Sequence, residues 1–248
     1  MLKIFCYPTD TFWRIKNLDY ALKNVFSILK FNFVEKKLLS DKKVKLRDLL
    51  LCKVSDINSY KQPEFWFEEE KNFEQQYLQT PKHNFHFYDG FKLQELYSKF
   101  IRFKLKECHI VFTQRIITTF DSSDGRYHCR VVVLGYPCII SISGFTKALT
   151  FPKEYYSVRN ILPQFAETFK EDIYRIVDKN FAKFLIKYIF QCIFYIYYGE
   201  EFCFEEFCLH NDNHWFWEVY NQVKQIKTKQ DVLNLLCSHH RSMAKSII

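Results

Sequence analysis

The pattern of apolar and polar positions changes period along this chain, and its longest apolar run organises the rest. From Phe181 to Tyr198 the sequence reads FAKFLIKYIFQCIFYIYY, apolar except for Lys183, Lys187 and Gln191. Those three recur every fourth position, so on a helix they form one narrow stripe while every other face is apolar. A helix of that kind belongs in the middle of a domain. Its longest uninterrupted apolar piece is Cys192–Tyr198, far short of the roughly 20 residues that cross a bilayer, so no membrane span is expected. Gly199 ends the run where a left-handed cap is wanted. Cys203 and Cys208 follow, so a central helix delivers a Cys-x4-Cys loop.

Earlier in the chain, Leu2–Pro8 predicts a strand ended by proline. Asp19–Leu29 puts Ala21, Leu22, Val25, Phe26 and Leu29 at helical spacing, and FNFVEKKL (Phe31–Leu38) returns as a strand. Strand, helix, strand is the start of an α/β layer. LRDLLLCKV (Leu46–Val54) is a short element, and KQPEFWFEEEKNFEQQYL (Lys61–Leu78) carries no decisive period. Leu93, Leu96, Tyr97 and Phe100 predict a helix after a turn at Asp89-Gly90. A β-rich block follows: HIVFTQRIITTF (His109–Phe120), the turn DSSDG, RYHCRVVVLGYP (Arg126–Pro137) and CIISISG (Cys138–Gly144). Four of the five glycines lie between Gly90 and Gly144, as tight turns there require.

Past the apolar run, His214–Ile226 has Trp215, Phe216, Val219, Tyr220, Val223 and Ile226 on one helical face, with Asn211, Asp212 or Asn213 available as its cap. A last short helix carries Val232, Leu233, Leu235 and Leu236 and ends at CSHH (Cys237–His240).

At 248 residues the chain fits one domain with an appendage, given about 100–200 residues per domain. We expect an α/β core over residues 1–199 and a helical tail over 200–248, in one compact unit. A hydrophobic content of 48% excludes a disordered chain. The 27 Phe and 16 Tyr against five Gly read as the coding bias of an AT-rich genome filling a core, not as a binding signature. The opening residues lack the basic start, apolar block and cleavage site of an export signal. Nine scattered cysteines, an odd number, point to a reducing cytoplasm and not to a disulfide scaffold.

The net charge of +8 is uneven: residues 1–60 hold 12 Lys/Arg and 6 Asp/Glu. The Lys30–Lys53 surface could attract nucleic acid or an acidic partner. Its lysines are not interleaved with arginines in a nucleic-acid motif, so a solvated face is the plainer reading.

Chemistry concentrates near the C-terminus. A structural zinc site takes four soft or borderline ligands, most readily as two pairs on short loops. Cys203-x4-Cys208 is one pair and Cys237-x2-His240 a second. Glu200, Glu201, Glu205 and Glu206 surround the first pair and oppose thiol ionisation, so a bound dication would relieve local negative charge. The competing reading is buried free cysteines beside a surface histidine. Spacing leaves His239, His210 and His214 open as replacements for His240.

The Gly199-x3-Cys203-x4-Cys208 frame resembles the archaemetzincin branch of the metzincin proteases. There H-E-x-x-H-x-x-G-x-x-H is followed directly by Cys-x4-Cys, and a later Cys-x2-Cys completes a structural zinc site. The late pair looks like Cys237-x2-His240, with His for the final Cys and a longer insert. The block from His109 to Gly144 also resembles an uncharacterised, largely archaeal family described as metallopeptidases, and together the resembling segments cover about half the chain, Cys108 to His240. The resemblance implies a metzincin-like mixed sheet with the apolar helix beneath it and a zinc-pinned helical tail. It also implies a cleft able to take an extended peptide along an edge strand near Arg130–Leu134.

The same frame puts Cys192, Ile196 and Phe202 where three zinc-binding histidines belong, and Ile193 where the catalytic Glu belongs. Ile and Phe cannot ligate a metal and Ile cannot take a proton from water, so the expected protein is a pseudo-peptidase with no catalytic residues. His210 stands where the frame has Met. A substitute site at His128, with Asp121, Asp124, Cys129 or His109, is the weaker alternative, because neighbours on a strand alternate faces. Lys183, Lys187 and Gln191 are expected to face a polar cleft, and HNDNHW (His210–Trp215) to be a helix cap with a packed Trp or a ligand site.

Overall fold

The computed structural model describes residues 3–8, 15–29, 32–35, 44–62, 68–79, 86–102, 104, 107–159 and 161–247. Within them, the opening alternation becomes β1 (Lys3–Pro8), followed by α1 (Ile15–Leu29) and β2 (Asn32–Glu35). Leu2, Phe31 and residues 36–38 of the predicted strands lie outside the described residues. LRDLLLCKV resolves into a helical turn, α2 (Leu46–Leu51), and a two-residue strand, β3 (Lys53–Val54). The acidic stretch without a decisive period is helical, α3 (Glu68–Gln79), its first turn holding Glu68, Glu69 and Glu70 where the helix dipole favours them. After β4 (Phe87–Asp89), Asp89 caps α4 (Gly90–Ser98) by accepting from the N–H groups of Phe91 and Lys92.

His109–Phe120 forms two strands in different sheets, β5 (Glu107–Thr113) and β6 (Ile116–Asp121). The break falls at Gln114-Arg115. Arg115 is fully buried and paired with the buried Glu74 of α3, which also receives the Tyr88 hydroxyl. A buried guanidinium needs its carboxylate, and reaching it turns the chain out of the first sheet. Ser141 and Ser143 secure the break by donating to the carbonyls of Arg115 (2.7 Å) and Gln114 (2.6 Å). The next stretch divides likewise, into β7 (Arg126–Arg130) and β8 (Val132–Val133), and β9 (Cys138–Ser141) follows.

The result is mixed α/β. One sheet has the order β2-β1-β5-β9-β8, parallel except for β8, which runs antiparallel to β9 at the edge. The other has the order β3-β4-β6-β7. In β1, Ile4 and Cys6 face one side with Ile110, Phe112 and Ile140, while Phe5 and Tyr7 face the other with Val111 and Ile139. The first side packs against α1 and the long helix; the second against α4 through Leu93, Leu96 and Tyr97.

Two short helices, α5 (Gly144–Lys147) and α6 (Lys153–Val158), lead into α7 (Pro163–Tyr198). A non-helical residue, Asn180, interrupts α7 just before the apolar run begins. Every residue from Phe184 to Phe194 is buried, Lys187 and Gln191 included. Gly199 takes φ 71° and its N–H closes on the Tyr195 carbonyl at 2.9 Å, ending the helix as a left-handed cap. No helix among the described residues is long and apolar enough to cross a membrane.

Beyond the cap come α8 (Phe216–Val223), α9 (Lys229–Asn234) and α10 (Ser238–Ile247). The N-cap of α8 is Trp215, not Asn211, Asp212 or Asn213, because those three sit in the segment bound to α7. A capping box of Thr228 and Asp231 opens α9. CSHH begins α10 and does not close the preceding helix. Phe216, Val219, Val223, Val232 and Leu236 join the same apolar cluster as α7 and the first sheet.

Candidate metal centre and cleft

Three segments meet past the end of α7. The left-handed turn at Gly199 sends the chain into the Cys203–Cys208 loop, whose first residue is pinned by two hydrogen bonds. Cys203 N–H donates to the His210 carbonyl (3.1 Å), and Asn211 Nδ2 to the Cys203 carbonyl (2.7 Å). Leu209 N–H reaches the Leu235 carbonyl (2.7 Å), which brings the loop against the turn between α9 and α10. Arg241 holds that turn, donating to the carbonyls of Leu233 (2.8 Å), Leu236 (3.0 Å) and Asn234 (3.1 Å). Those carbonyls lie at and just past the end of α9, where a helix runs short of its own donors.

There Cys203, Cys208, Cys237 and His240 converge, each offering one donor atom within 4.8 Å of the others. Cys203 Sγ lies 3.9 Å from Cys237 Sγ; His240 Nδ1 lies 3.8 Å from Cys208 Sγ and 3.0 Å from Cys237 Sγ. A tetrahedral zinc with ordinary Zn–S and Zn–N bonds separates its ligands by roughly 3.6–3.8 Å. Two of these edges therefore already match, and the Cys237–His240 edge must open slightly. The N–H groups of Glu205 and Cys237 point at Cys203 Sγ (3.4 Å) and Cys208 Sγ (3.5 Å), bonds that favour thiolate over thiol. Burial acts the other way, raising the Cys203 thiol and pushing Cys208 up to about 12. A dication at the centre of the four donors is what this arrangement fits.

The other histidines are placed differently. His239 is exposed, 3.5 Å from Glu200, and His214 is exposed, 3.8 Å from Asp212. His210 is fully buried, its ring 4.6 Å from that of His240 and 4.7 Å from Phe194. Burial first, then His240 and Lys187, holds it down to about 3, so it is neutral.

Lys187 and Gln191 do not face a cleft. Lys187 Nζ donates to the carbonyls of Leu209 (2.9 Å) and Asn211 (2.8 Å), to Asn213 Oδ1 (3.1 Å) and to Gln222 Oε1 (3.2 Å). Gln191 Nε2 also donates to the Asn211 carbonyl, at 3.1 Å. The polar stripe thus fixes the segment leaving the Cys203–Cys208 loop onto α7, because a buried ammonium must be solvated by protein oxygens. Arg241, Gln222 and this use of Lys187 were not legible in the sequence. The fourfold spacing marked Lys187 and Gln191 as unusual, but nothing marked their partners.

A cleft of about 370 Å³ opens beside edge strand β8. Its walls include Val131–Leu134, Tyr188 and Tyr195 of α7, and Phe202. The positions set by the archaemetzincin frame are apolar or buried. Cys192 and Ile193 are fully buried in the core, Ile196 is half-buried, and Phe202 lines the cleft. Besides the four-donor knot, the described residues gather candidate metal ligands at Glu200 with His239 and His240, and at Asp121 with Asp124 and His128.

The His128 alternative does not assemble with His109. His128 Nε2 on β7 bonds Asp124 (2.8 Å) in the preceding turn, Asp124 also takes Arg126 Nε (2.7 Å), and Asp121 accepts from Ser123 (2.8 Å). His109 lies in the other sheet, buried between Tyr7 (2.7 Å) and Glu107 (3.3 Å) and stacked on Phe5. Of the basic N-terminal surface, Lys30, Lys36, Lys37, Lys42 and Lys43 lie outside the described residues, and Lys53 is buried, 3.9 Å from Glu70.

Fold and site together define a mixed α/β protein with a Cys3His knot at the end of its central helix. A family model described as "Probable metallopeptidase family (DUF6775)" matches residues 1–247, and the chain belongs to that family. No curated protein matches it. Among solved structures it is similar to a zinc-dependent peptidase from Methanocorpusculum labreanum, at 12% identity over 97% of this chain and 99% of that one, with a TM-score of 0.38.

Proposed function

We propose that this chain is an archaemetzincin-like pseudo-peptidase, which keeps one structural zinc on Cys203, Cys208, Cys237 and His240 and lacks the catalytic one. The observation that carries the reading is the convergence of those four donors at near-tetrahedral separations. Zinc bound there neutralises the thiolates and cross-links the loop to the chain end, adding its binding free energy to that of folding. In this reading residues 200–248 are a helical tail tied to a core of residues 1–199, in one compact unit in a reducing cytoplasm.

Cleavage is absent because Ile193, Ile196 and Phe202 offer neither a ligand nor a base. What remains is binding. The cleft beside β8 takes an extended peptide, which pairs with the strand edge while mixed walls, Val131–Leu134 and Tyr188 together with Arg130, Glu201 and Asp212, receive its side chains.

Elemental analysis of the purified protein beside Cys203→Ser, Cys208→Ser tests this. We expect one zinc per chain, lost in the variant together with thermal stability, and no hydrolysis across a peptide panel. Two zincs per chain, or peptidase activity abolished by a chelator, would overturn the proposal.

A further inference from the structure

We propose that the Cys203–Cys208 loop is a docking knuckle for a basic protein partner that presents an apolar pocket ringed by Lys or Arg. Phe204 is 99% exposed and Phe207 62% exposed, while the cysteines beside them, Cys203 and Cys208, are 8% and 0% exposed. The two ends of the loop therefore turn inward as donors, while the Phe next to each end stands outward as a bare aromatic ring. A scattered exposed hydrophobe needs no explanation, but two Phe held on one short loop are a different matter.

The loop cannot fold these rings away. Cys208 N–H donates to the Glu205 carbonyl (3.0 Å), and Glu205 N–H points at Cys203 Sγ (3.4 Å). From α8, Gln222 Nε2 donates to the carbonyls of Glu206 (3.0 Å) and Cys208 (3.3 Å). Both rings are thus presented on a prearranged backbone, which lowers the ordering cost of binding.

Charge selects the partner. Glu205 and Glu206, between the two rings in the chain, are exposed, as is Glu201; Glu200 is half-buried, and the segment from Gly199 to Cys208 carries no Lys or Arg. Four carboxylates repel a nucleic-acid backbone or an anionic lipid surface and attract a Lys/Arg rim. Exposed aromatic rings on a segment whose only charges are carboxylates combine an apolar contact with a polar edge.

This inference rests on the zinc reading only in that the ion would stiffen the loop further. The test pans a random short-peptide display library against the full chain, with counter-selection on Phe204→Ser, Phe207→Ser. Zinc content is measured on both proteins, so a failed metal reading shows separately from a failed docking reading. Enriched peptides should be basic and apolar, bind at least about tenfold more weakly to the double variant, and be displaced by salt. Glu205→Gln, Glu206→Gln should weaken binding and flatten its salt dependence. Enrichment no greater than on the double variant, enriched peptides without basic residues, or affinity unchanged by either variant would overturn the inference.

Discussion

Replacing Lys187 by Met keeps the length and apolar stem of the side chain and removes its ammonium. Four oxygens lose a donor, at 2.8–3.2 Å. The Asn211 carbonyl retains Gln191, and Asn213 Oδ1 can swing away. The Leu209 carbonyl and Gln222 Oε1 are left without a partner, since Gln222 is held in place by its bonds to Glu206 and Cys208. Each orphaned buried acceptor costs about 1–3 kcal/mol, so the gross loss is about 2–6 kcal/mol. Burying a charge has its own cost: burial pushes the Lys187 ammonium down from 10.5 to about 7, and Met escapes that. We therefore expect a net loss of about 2–4 kcal/mol at neutral pH. Urea unfolding followed by circular dichroism measures it, and thermal melting should shift by about 2–4 °C per kcal/mol.

The sign of the pH dependence follows from the same shift. Between about 7 and 10.5 the unfolded chain holds a proton on Lys187 that the folded chain binds less tightly. Lys187 therefore makes the wild type more stable as pH rises through that window, and its penalty is complete below it. The gap between wild type and Lys187→Met should widen with pH and then level off. A gap under about 0.5 kcal/mol at neutral pH, or one that narrows as pH rises, would refute the account of Lys187 as the solvated pin of the 209–213 segment.

Two other consequences concern the knot and the cleft. Burial raises the Cys203 and Cys208 thiols, so protons compete with metal: zinc retained after dialysis at stepped pH should fall as pH falls, and a flat profile would contradict thiolate ligation. A Cβ added at Gly90 would lie 2.6 Å from Val133 Cγ2, so Gly90→Ala must push on β8, costing about 1–3 kcal/mol in a melt and broadening β8 amide signals before others.

Much of this molecule could be read from its pattern of residues because the relevant physics is local. The short apolar run of Leu2–Pro8 ended by its proline, the helical spacing of Ala21, Leu22, Val25 and Leu29, and the capping geometry of Gly199 each concern neighbours within a few positions. The apolar run from Phe181 was legible for the same reason, and the structure interrupts α7 at Asn180, one residue before it. Thiol and imidazole spacing was enough to nominate four donors.

What needed the tertiary structure involves partners far apart in sequence. Nothing near His109–Phe120 announces that Arg115 will reach Glu74 and split one strand between two sheets. Nothing near Lys187 names the carbonyls of Leu209 and Asn211. His239 and His240 are adjacent, so spacing cannot choose between them. On a helix they point about 100° apart, and the seating of α10, with Arg241 gripping the end of α9, turns His240 toward Cys208 and leaves His239 in solvent. Local preference writes the elements; where buried charges find their oxygens decides how they meet.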